Sequence, residues 1–274
     1  MASQEDRDHV ARTGPVRPGE LPVRFSRLKL MALSPAHFHA WAEKDTVSIE
    51  RGRALHSIIL GGQRVTYYPG KVRRGGEYDA FCRENKDAQV LTKKDYDKVC
   101  AMADAVFANK RAMEVLQGQH ELEVDWTFLG RRCQSHIDCL GPGGDWITEL
   151  KSTVSSDPEK FSWQASRMGY FAQVAYYQAA VQAAQLGAPR TVYFVAVEQE
   201  PPHVVSVFEA TPHALETGAK SVRLWFERLL QCEAANDWPG YVQDIVPIDT
   251  PSDDIEFTFG DEGGDGPDGG EAAA

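Results

Sequence analysis

The chain has 274 residues, of which 42% are hydrophobic and 25% are charged, as in an ordinary globular protein. Its net charge is -11, whereas a nucleic-acid-binding protein is usually basic. Eight acidic residues follow Ser252 without any basic residue, and removing those eight leaves a net charge of -3. Overall charge is therefore a weak argument for or against a nucleic-acid substrate.

The five cysteines form no Cys-x-x-Cys pair, which argues against a zinc or iron–sulfur site and predicts reduced thiols. The N-terminus is polar and lacks the apolar stretch of a signal peptide. No run of about 18 apolar residues predicts a membrane span. We therefore expect a cytoplasmic protein that does not enter a membrane.

Three regions differ in composition. Residues 1–21 are polar, with several glycines and prolines, and predict a flexible leader. Residues 251–274 are acidic and rich in glycine, a composition that buries too little apolar surface to fold and predicts a disordered tail. Residues 22–250 between them are predicted to form one domain.

The first half of this domain is predicted to be mainly helical. Residues 26–43 predict a helix in two pieces, the second of which begins at Ser34-Pro35. Val47 to Leu60 predicts the next helix. Residues 63–92 predict a loop or an irregular insertion, and Thr92 to Leu116 predicts one amphipathic helix.

The second half combines strands and helices. An antiparallel meander of three strands with tight turns is predicted at residues 121–129, 132–140 and 146–153. A long helix, two strands and a last helix are predicted at residues 158–185, 191–197, 203–208 and 211–235. This order predicts a mixed α/β (α+β) fold with a central mixed β-sheet flanked by helices.

Two carboxylates and a lysine are predicted to converge on the second and third strands. Glu149 and Lys151 are two residues apart, so strand alternation places them on one face. The turn at residues 141–144 brings Asp138 across from them. Carboxylate oxygens bind Mg²⁺, which activates water and offsets the charge that develops on a phosphate, and a lysine can orient the water. The set predicts hydrolysis of a phosphodiester.

A Glu-x-Lys pair is also common on ordinary half-exposed strands, so three further features matter. Gly52 and His56 share one face of a helix, where a histidine is usually a satisfied core residue. Gln173 and Tyr177 share a face of the long helix, and packing explains the tyrosine more easily than the glutamine. Glu121 stands at the start of the first strand.

Taken in order, these motifs resemble the RecB-like branch of the PD-(D/E)XK nucleases, and more narrowly the nuclease domain of the RecE-like (exodeoxyribonuclease VIII) phage exonucleases. The resemblance runs from about Phe25 to Trp238. Glu149 stands where the RecE domain has aspartate, an exchange that the superfamily accepts. The long region that precedes the RecE nuclease domain has no counterpart here, so we expect a stand-alone nuclease with a PD-(D/E)XK core.

The resemblance implies a role for each motif, with Mg²⁺ as the metal and Mn²⁺ as a substitute. The implied metal ligands are His56, Asp138, Glu149 and the backbone carbonyl of Leu150. The implied catalytic residues are Lys151, Glu149, Asp138, Glu121, Gln173 and Tyr177. Gln173 and Tyr177 would also touch DNA.

The resemblance further implies digestion of linear double-stranded DNA, 5′ to 3′, by a homo-oligomeric ring. The 3′ single strand would pass to a single-strand annealing protein for phage-type recombination. Basic residues that could bind phosphates are Arg51, Arg53, Arg73, Arg74, Lys93 and Lys94. Arg51 and Arg53 flank Gly52 beside the predicted site and are the strongest of these candidates.

Other functions stay open at this point. One alternative is another RecB-like nuclease, structure-specific or CRISPR-associated, although those often have a four-cysteine cluster that the cysteine spacing disfavours. A second is a non-catalytic DNA-binding recombination partner, which the intact set of Asp138, Glu149 and Lys151 disfavours. The acidic tail either docks onto a partner through its alternating segment 253–257 or only increases solubility.

Overall fold

The computed structural model describes residues 21–42 and 46–249. The predicted acidic tail and nearly all of the predicted leader lie outside these residues. The chain divides into two units, Met1–Tyr241 and Val242–Ala274. Every helix and strand described below belongs to the first unit, and the described residues of the second, 242–249, contain neither.

The helices and strands follow one another in the order of the sequence. The helices are α1 (Phe25–Leu28), α2 (Pro35–His39), α3 (Val47–Leu60), α4 (Gly76–Glu84), α5 (Lys93–Ala108), α6 (Lys110–Val115), α7 (Pro158–Met168), α8 (Tyr170–Ala183) and α9 (Pro212–Ala235). The strands are β1 (Val23–Arg24), β2 (Arg64–Tyr68), β3 (Ala88–Thr92), β4 (Gln119–Phe128), β5 (Arg131–Leu140), β6 (Trp146–Thr153), β7 (Thr191–Glu198) and β8 (Val205–Glu209). Within the described part of the chain, no helix is both long and apolar enough to span a membrane.

The central sheet has six strands and mixed directions. Strands β4, β5 and β6 are successive antiparallel neighbours, which confirms the predicted meander. Strand β7 lies parallel to β6, β8 lies antiparallel to β7, and the short β1 lies parallel to the start of β5. The predicted mixed α/β fold with a central mixed sheet is therefore confirmed.

Helices cover the central sheet on both faces. Side chains alternate along β7: Phe194 packs in a core with α8 and α9, whereas Val195 packs in a second core with α3 and α5. Because both faces are buried, β7 is a nearly continuous apolar run rather than an alternating one. The same alternation in β6 turns Leu150 toward α3 and leaves Glu149 and Lys151 on the α8 side.

The predicted long helix at 158–185 is wrong in one respect, because it is two helices. Gly169 has a φ of 74°, in the left-handed region, and it ends α7 and begins α8. Glycine adopts this conformation without the clash that a Cβ atom would cause, so it is a common helix terminator. The break makes Tyr170 the first residue of α8.

Two other elements differ from the sequence prediction. The predicted helix at 92–116 is divided at Asn109, whose side chain caps α6 by accepting a hydrogen bond from Ala112 N. The region predicted as an irregular insertion is a small unit in which β2 and β3 pair in parallel and α4 connects them. Five-residue strands carry a weak pattern, and their pairing depends on the crossover helix.

Candidate active site

The candidate site lies where strands β5 and β6 separate. The two strands pair at Cys139–Thr148 and Leu140–Ile147, next to the turn that joins them. One residue further along, the side chain of Asp138 takes the place of a backbone acceptor, and its Oδ2 accepts a hydrogen bond from Leu150 N at 2.8 Å. Asp138 is thereby fixed beside β6, while its Oδ1 faces His56.

Three carboxylates occupy neighbouring positions across three strands. The β4–β5 register pairs His120 with Cys139 and Leu122 with Ile137, which places Glu121 opposite Asp138. Extending the β5–β6 register by one residue places Glu149 on the other side of Asp138. Like charges at facing positions of a sheet repel one another. This row of acids is therefore unfavourable unless positive charge lies close by.

Glu121 also has an unusual backbone. Its φ of 49° lies in the left-handed region, which costs a residue with a Cβ atom about 1–2 kcal/mol. The ladder between β4 and β5 is interrupted at this residue. Local strain of this kind is frequent at functional sites.

His56 brings helix α3 to the carboxylates. Its Nδ1 lies 3.3 Å from Asp138 Oδ1 and 3.8 Å from Glu121 Oε1, and its Nε2 donates to the carbonyl oxygen of Leu150 at 3.1 Å. Burial lowers the pKa of His56, but Asp138 and then Glu121 outweigh burial and raise it to about 10. In this arrangement the imidazole is protonated and supplies positive charge.

Glu149, Lys151 and Gln173 form a second, tightly bonded group. Lys151 Nζ donates to Glu149 Oε1 at 2.7 Å and to Gln173 Oε1 at 3.1 Å. Gln173 Nε2 in turn lies 2.7 Å from Glu149 Oε1 and 2.9 Å from the Tyr177 hydroxyl. The amide thus connects the carboxylate to the lysine, which gives this glutamine a structural reason to face the sheet.

Burial and neighbouring charges shift the pKa values of Glu149, Lys151 and Tyr177. Burial, followed by the charge of Asp138, raises the pKa of Glu149 to about 7, although Lys151 opposes the shift. Burial lowers the pKa of Lys151, but the charges of Glu149 and Asp138 raise it overall. Burial keeps the pKa of Tyr177 well above its usual range, so this phenol is neutral.

The residues present fit a bound cation. One nitrogen of His56 and one oxygen each of Glu121 and Asp138 lie within 4.8 Å of one another. Glu121 Oε1 and Glu149 Oε2 are buried and have no hydrogen-bond partner within residues 21–42 and 46–249. An unpaired buried carboxylate oxygen is costly, and oxygen-rich groups of this kind suit a hard divalent ion.

The group within 4.8 Å contains two of the predicted ligands, His56 and Asp138, together with Glu121, which was predicted as a catalytic residue. Glu149 lies outside this group; Lys151 and Gln173 hold its Oε1, and its Oε2 has no hydrogen-bond partner among the described residues. The Leu150 carbonyl accepts from His56 Nε2, whereas Nδ1 of the same ring faces the carboxylates.

Two residues at the site were missed by sequence analysis. His136 Nε2 lies 2.9 Å from Glu121 Oε2; His136 and His56 together outweigh burial and lower the pKa of Glu121 to about 2. The Tyr170 ring lies 4.7 Å from Lys151 Nζ. Each has a signal in the sequence, since His136 is two residues before Asp138 and Tyr170 is one helical turn before Gln173.

The predicted DNA-contacting arginines have different surroundings. Arg53 lines the cleft that contains the carboxylates. Arg51 instead donates to Asp95 at 2.6 Å, and Arg73 donates to Glu50 at 2.7 Å and to a backbone carbonyl. Arg74 is exposed on the loop before α4. A DNA phosphate would therefore have to compete with Asp95 for Arg51 and with Glu50 for Arg73.

Two cavities meet at the site. The cleft of about 990 Å³ contains His56 and the acidic residues, and a cavity of about 400 Å³ lies beside it, lined by Arg24 and Lys29 among others. Four side chains line both cavities, namely His136, Lys151, Gln173 and Tyr177. Lys151 and Gln173 thus border both cavities, whereas Glu149 borders only the larger one.

The central mixed sheet flanked by helices agrees with the predicted PD-(D/E)XK core. The chain belongs to the family described as PDDEXK-like domain of unknown function (DUF3799), whose model matches residues 25–248. No curated protein matches this sequence.

Solved structures with a similar fold include one from Eubacterium rectale that is provisionally named an exonuclease. It is 14% identical, with a TM-score of 0.58 over 82% of this chain and 91% of that one. Another match is a phage-related exonuclease from Haemophilus somnus 129PT, with 11% identity and a TM-score of 0.34 over 77% of this chain and 96% of that one. At 14% identity, the first likeness concerns the fold.

Proposed function

We propose that the protein is a Mg²⁺-dependent exodeoxyribonuclease that degrades linear double-stranded DNA. The observation that carries the proposal is the convergence of Asp138, Glu149 and Lys151 where β5 and β6 separate, beside two buried carboxylate oxygens that have no hydrogen-bond partner in the described part of the chain. Such oxygens have no role in packing but suit a divalent cation. Membership of a PDDEXK-like family supports phosphodiester hydrolysis as the reaction.

The metal would be held by His56, Asp138, Glu149 and the Leu150 carbonyl, and Glu121 is a further ligand candidate. When bound, a divalent ion supplies a Lewis acid that polarises water and offsets the charge on phosphate. Metal binding requires a neutral imidazole, so His56 would give up the proton that the carboxylates now stabilise.

Lys151 is the residue that we assign to the reacting phosphate. Its ammonium group stays charged beside Glu149, and a positive charge fixed in advance stabilises the negative charge that develops in the transition state. Gln173 holds this ammonium group and Glu149 in one orientation, at 3.1 Å and 2.7 Å. The Tyr177 hydroxyl is bonded to Gln173 at the border of the cleft, which supports the role in DNA contact that the resemblance implies.

The finer parts of the proposal rest on the resemblance to RecE-like exonucleases. They are 5′ to 3′ polarity, a 3′ single strand made for an annealing protein, a homo-oligomeric ring, and action in the cytoplasm of a bacterial or phage-infected cell. The exonuclease name of the similar Eubacterium rectale structure is in keeping with action on DNA ends. Arg53, on the wall of the cleft, is the arginine we expect to contact the DNA backbone.

Digestion of linear duplex DNA labelled at either its 5′ or its 3′ end tests the proposal. With Mg²⁺ we expect release of the 5′ label as mononucleotides before any loss of the 3′ label, and Mn²⁺ should substitute. Circular duplex should stay intact, and Lys151→Ala should be inactive on every substrate.

Three results would contradict parts of the proposal. Early release of the 3′ label would reverse the polarity. Cleavage of circular DNA, or a cut at the junction of a flapped DNA, would indicate a structure-specific nuclease. Absence of cleavage with any divalent ion, together with DNA binding that Lys151→Ala leaves unchanged, would indicate a non-catalytic DNA-binding protein.

A further inference from the structure

The ammonium group of Lys151 has three N–H donors, and two of them bond to oxygen acceptors. These acceptors are Glu149 Oε1 at 2.7 Å and Gln173 Oε1 at 3.1 Å. Across the residues that the structure describes, no third oxygen accepts from Nζ, but the Tyr170 ring lies with its centroid 4.7 Å away. An aromatic face attracts a cation at this distance.

We propose that Tyr170 is a positioning residue that holds the Lys151 ammonium group through a cation–π contact. This inference rests on the nuclease function proposed for the site. The ring attracts the charge without supplying an oxygen acceptor. The third N–H can therefore turn to a phosphate oxygen or to water without breaking a conventional hydrogen bond.

Tyr170 is placed by the chain reversal between α7 and α8. Gly169, with its φ of 74°, lets α8 begin at Tyr170, one turn before Gln173, so both residues face Lys151. The ring also lies 6.3 Å from Phe194 of β7, which limits its motion.

A hydrogen-bonded path also connects the ring to the strand that carries Lys151. Gln164 Nε2 donates to the Tyr170 hydroxyl at 3.3 Å, and Gln164 Oε1 accepts from Thr153 Oγ1 at 2.8 Å. Thr153 is the last residue of β6, two residues after Lys151. The lysine and the ring are thus held to the same strand, which keeps their separation fixed.

The first test is cleavage of linear duplex DNA by three variants. Tyr170→Leu removes the ring, and we expect kcat to fall about tenfold while KM for DNA changes less than about twofold. Tyr170→Phe keeps the ring and should retain most of the activity.

Phe171→Leu is the matched control. It is the next residue of α8, its ring centroid lies 5.9 Å from that of Phe194, and it lines neither cavity that contains Lys151. We expect it to cleave at the wild-type rate. If Tyr170→Leu cleaves within about twofold of wild type, or if Phe171→Leu loses as much kcat, the proposal is wrong.

A series of fluorinated phenylalanines at position 170 separates charge attraction from packing. Fluorine withdraws electron density from the ring face while leaving its shape nearly unchanged. We expect kcat to fall stepwise with each added fluorine. A flat series would show that the ring only fills space, even if Tyr170→Leu folds poorly.

A readout on the resting protein does not depend on nuclease activity. The Tyr170 ring current should shift the Lys151 Cε proton resonance upfield, with the signal assigned by its loss in Lys151→Arg. Tyr170→Leu should return this resonance to an ordinary lysine position, and Tyr170→Phe should not. An inactive wild type with this shift would overturn the proposed function alone, whereas an unshifted resonance would overturn the contact between Lys151 and Tyr170.

Discussion

Helix α3 contributes to two charged clusters that are built in opposite ways. Near its start, Arg73 contacts Glu50 at 2.7 Å and Arg51 contacts Asp95 at 2.6 Å, so each carboxylate faces a guanidinium group. Near its end, His56 lies 3.3 Å and 3.8 Å from two carboxylates that share it. We call these the paired cluster and the site cluster.

The two clusters differ in whether every carboxylate has a partner of opposite charge. The paired cluster connects α3 to α5 and to the loop before α4, and its charges satisfy one another. In the site cluster, Glu121 Oε1 and Glu149 Oε2 are buried and accept no hydrogen bond from any residue that the structure describes. Buried carboxylate oxygens without hydrogen bonds are costly to a fold, which supports the cation that we propose for this site.

The largest expected effect is on catalysis, and it should be confined to the site cluster. Asp138→Ala, Glu149→Ala and Lys151→Ala should each lower cleavage by at least about 10³-fold, because each removes a group with a distinct task. Arg73→Ala should lower it far less. The cleavage rate of each variant is measured on end-labelled duplex DNA, and circular dichroism confirms that the variant is folded. If Arg73→Ala loses as much activity as the site-cluster variants, the two clusters do not differ in function.

Metal binding should give the next largest effect. At about 100 times its Kd, Mg²⁺ should stabilise the protein by about 2.7 kcal/mol, because it binds only the folded carboxylates. The shift in Tm should disappear in Asp138→Asn and persist in Asp95→Asn, its match in the paired cluster.

His56→Ala refines the metal prediction. It should raise the Mg²⁺ concentration needed for cleavage more than it weakens DNA binding in the absence of metal. Normal cleavage by this variant at low Mg²⁺ would identify His56 as a core residue.

The paired cluster should affect stability instead. Asp95 is 6% exposed and accepts from Arg51 and from Thr92 Oγ1, so Asp95→Asn should cost about 1–3 kcal/mol by leaving Arg51 without its counter-ion. Urea unfolding measures this cost, and cleavage by the folded variant should stay near the wild-type rate.

The cost of Asp95→Asn should depend on pH. Burial raises the pKa of Asp95, but Thr92 and Arg51 lower it below the usual value of 3.8. A lowered pKa means that Asp95 stabilises the fold above the unfolded pKa and loses this effect as pH falls below it. Wild type and variant should therefore converge in stability at acid pH; a constant gap would contradict the assignment.

The smallest effect should come from Gly52, which lies between the two clusters on α3. A Cβ atom there would meet nothing within 4 Å, so Gly52→Ala should stabilise the helix by about 0.8–1 kcal/mol. Gly52 also lines the cleft. If DNA lies against α3, the variant should be more stable yet less active, whereas unchanged activity would place the DNA elsewhere.

Sequence patterns located most elements and most of the site. The strand alternation around Glu149 and Lys151, and the short turn before them, place the acid–lysine set where it is found. The helix break at Gly169 was missed, because its only signal is one glycine within a long run of helix-forming residues. The unit formed by β2, α4 and β3 was missed because its strands are short.

The sequence by itself determined which chemical groups are present and which neighbours along the chain share a face, because periods of 2 and 3.6 residues follow from local backbone geometry. Only the tertiary structure decided that Glu121 faces Asp138, that Arg51 and Arg73 pair with carboxylates, and that Tyr170 meets Lys151. Those contacts depend on strand register and on how helices pack across the sheet. Register and packing are set by the whole core rather than by any local segment.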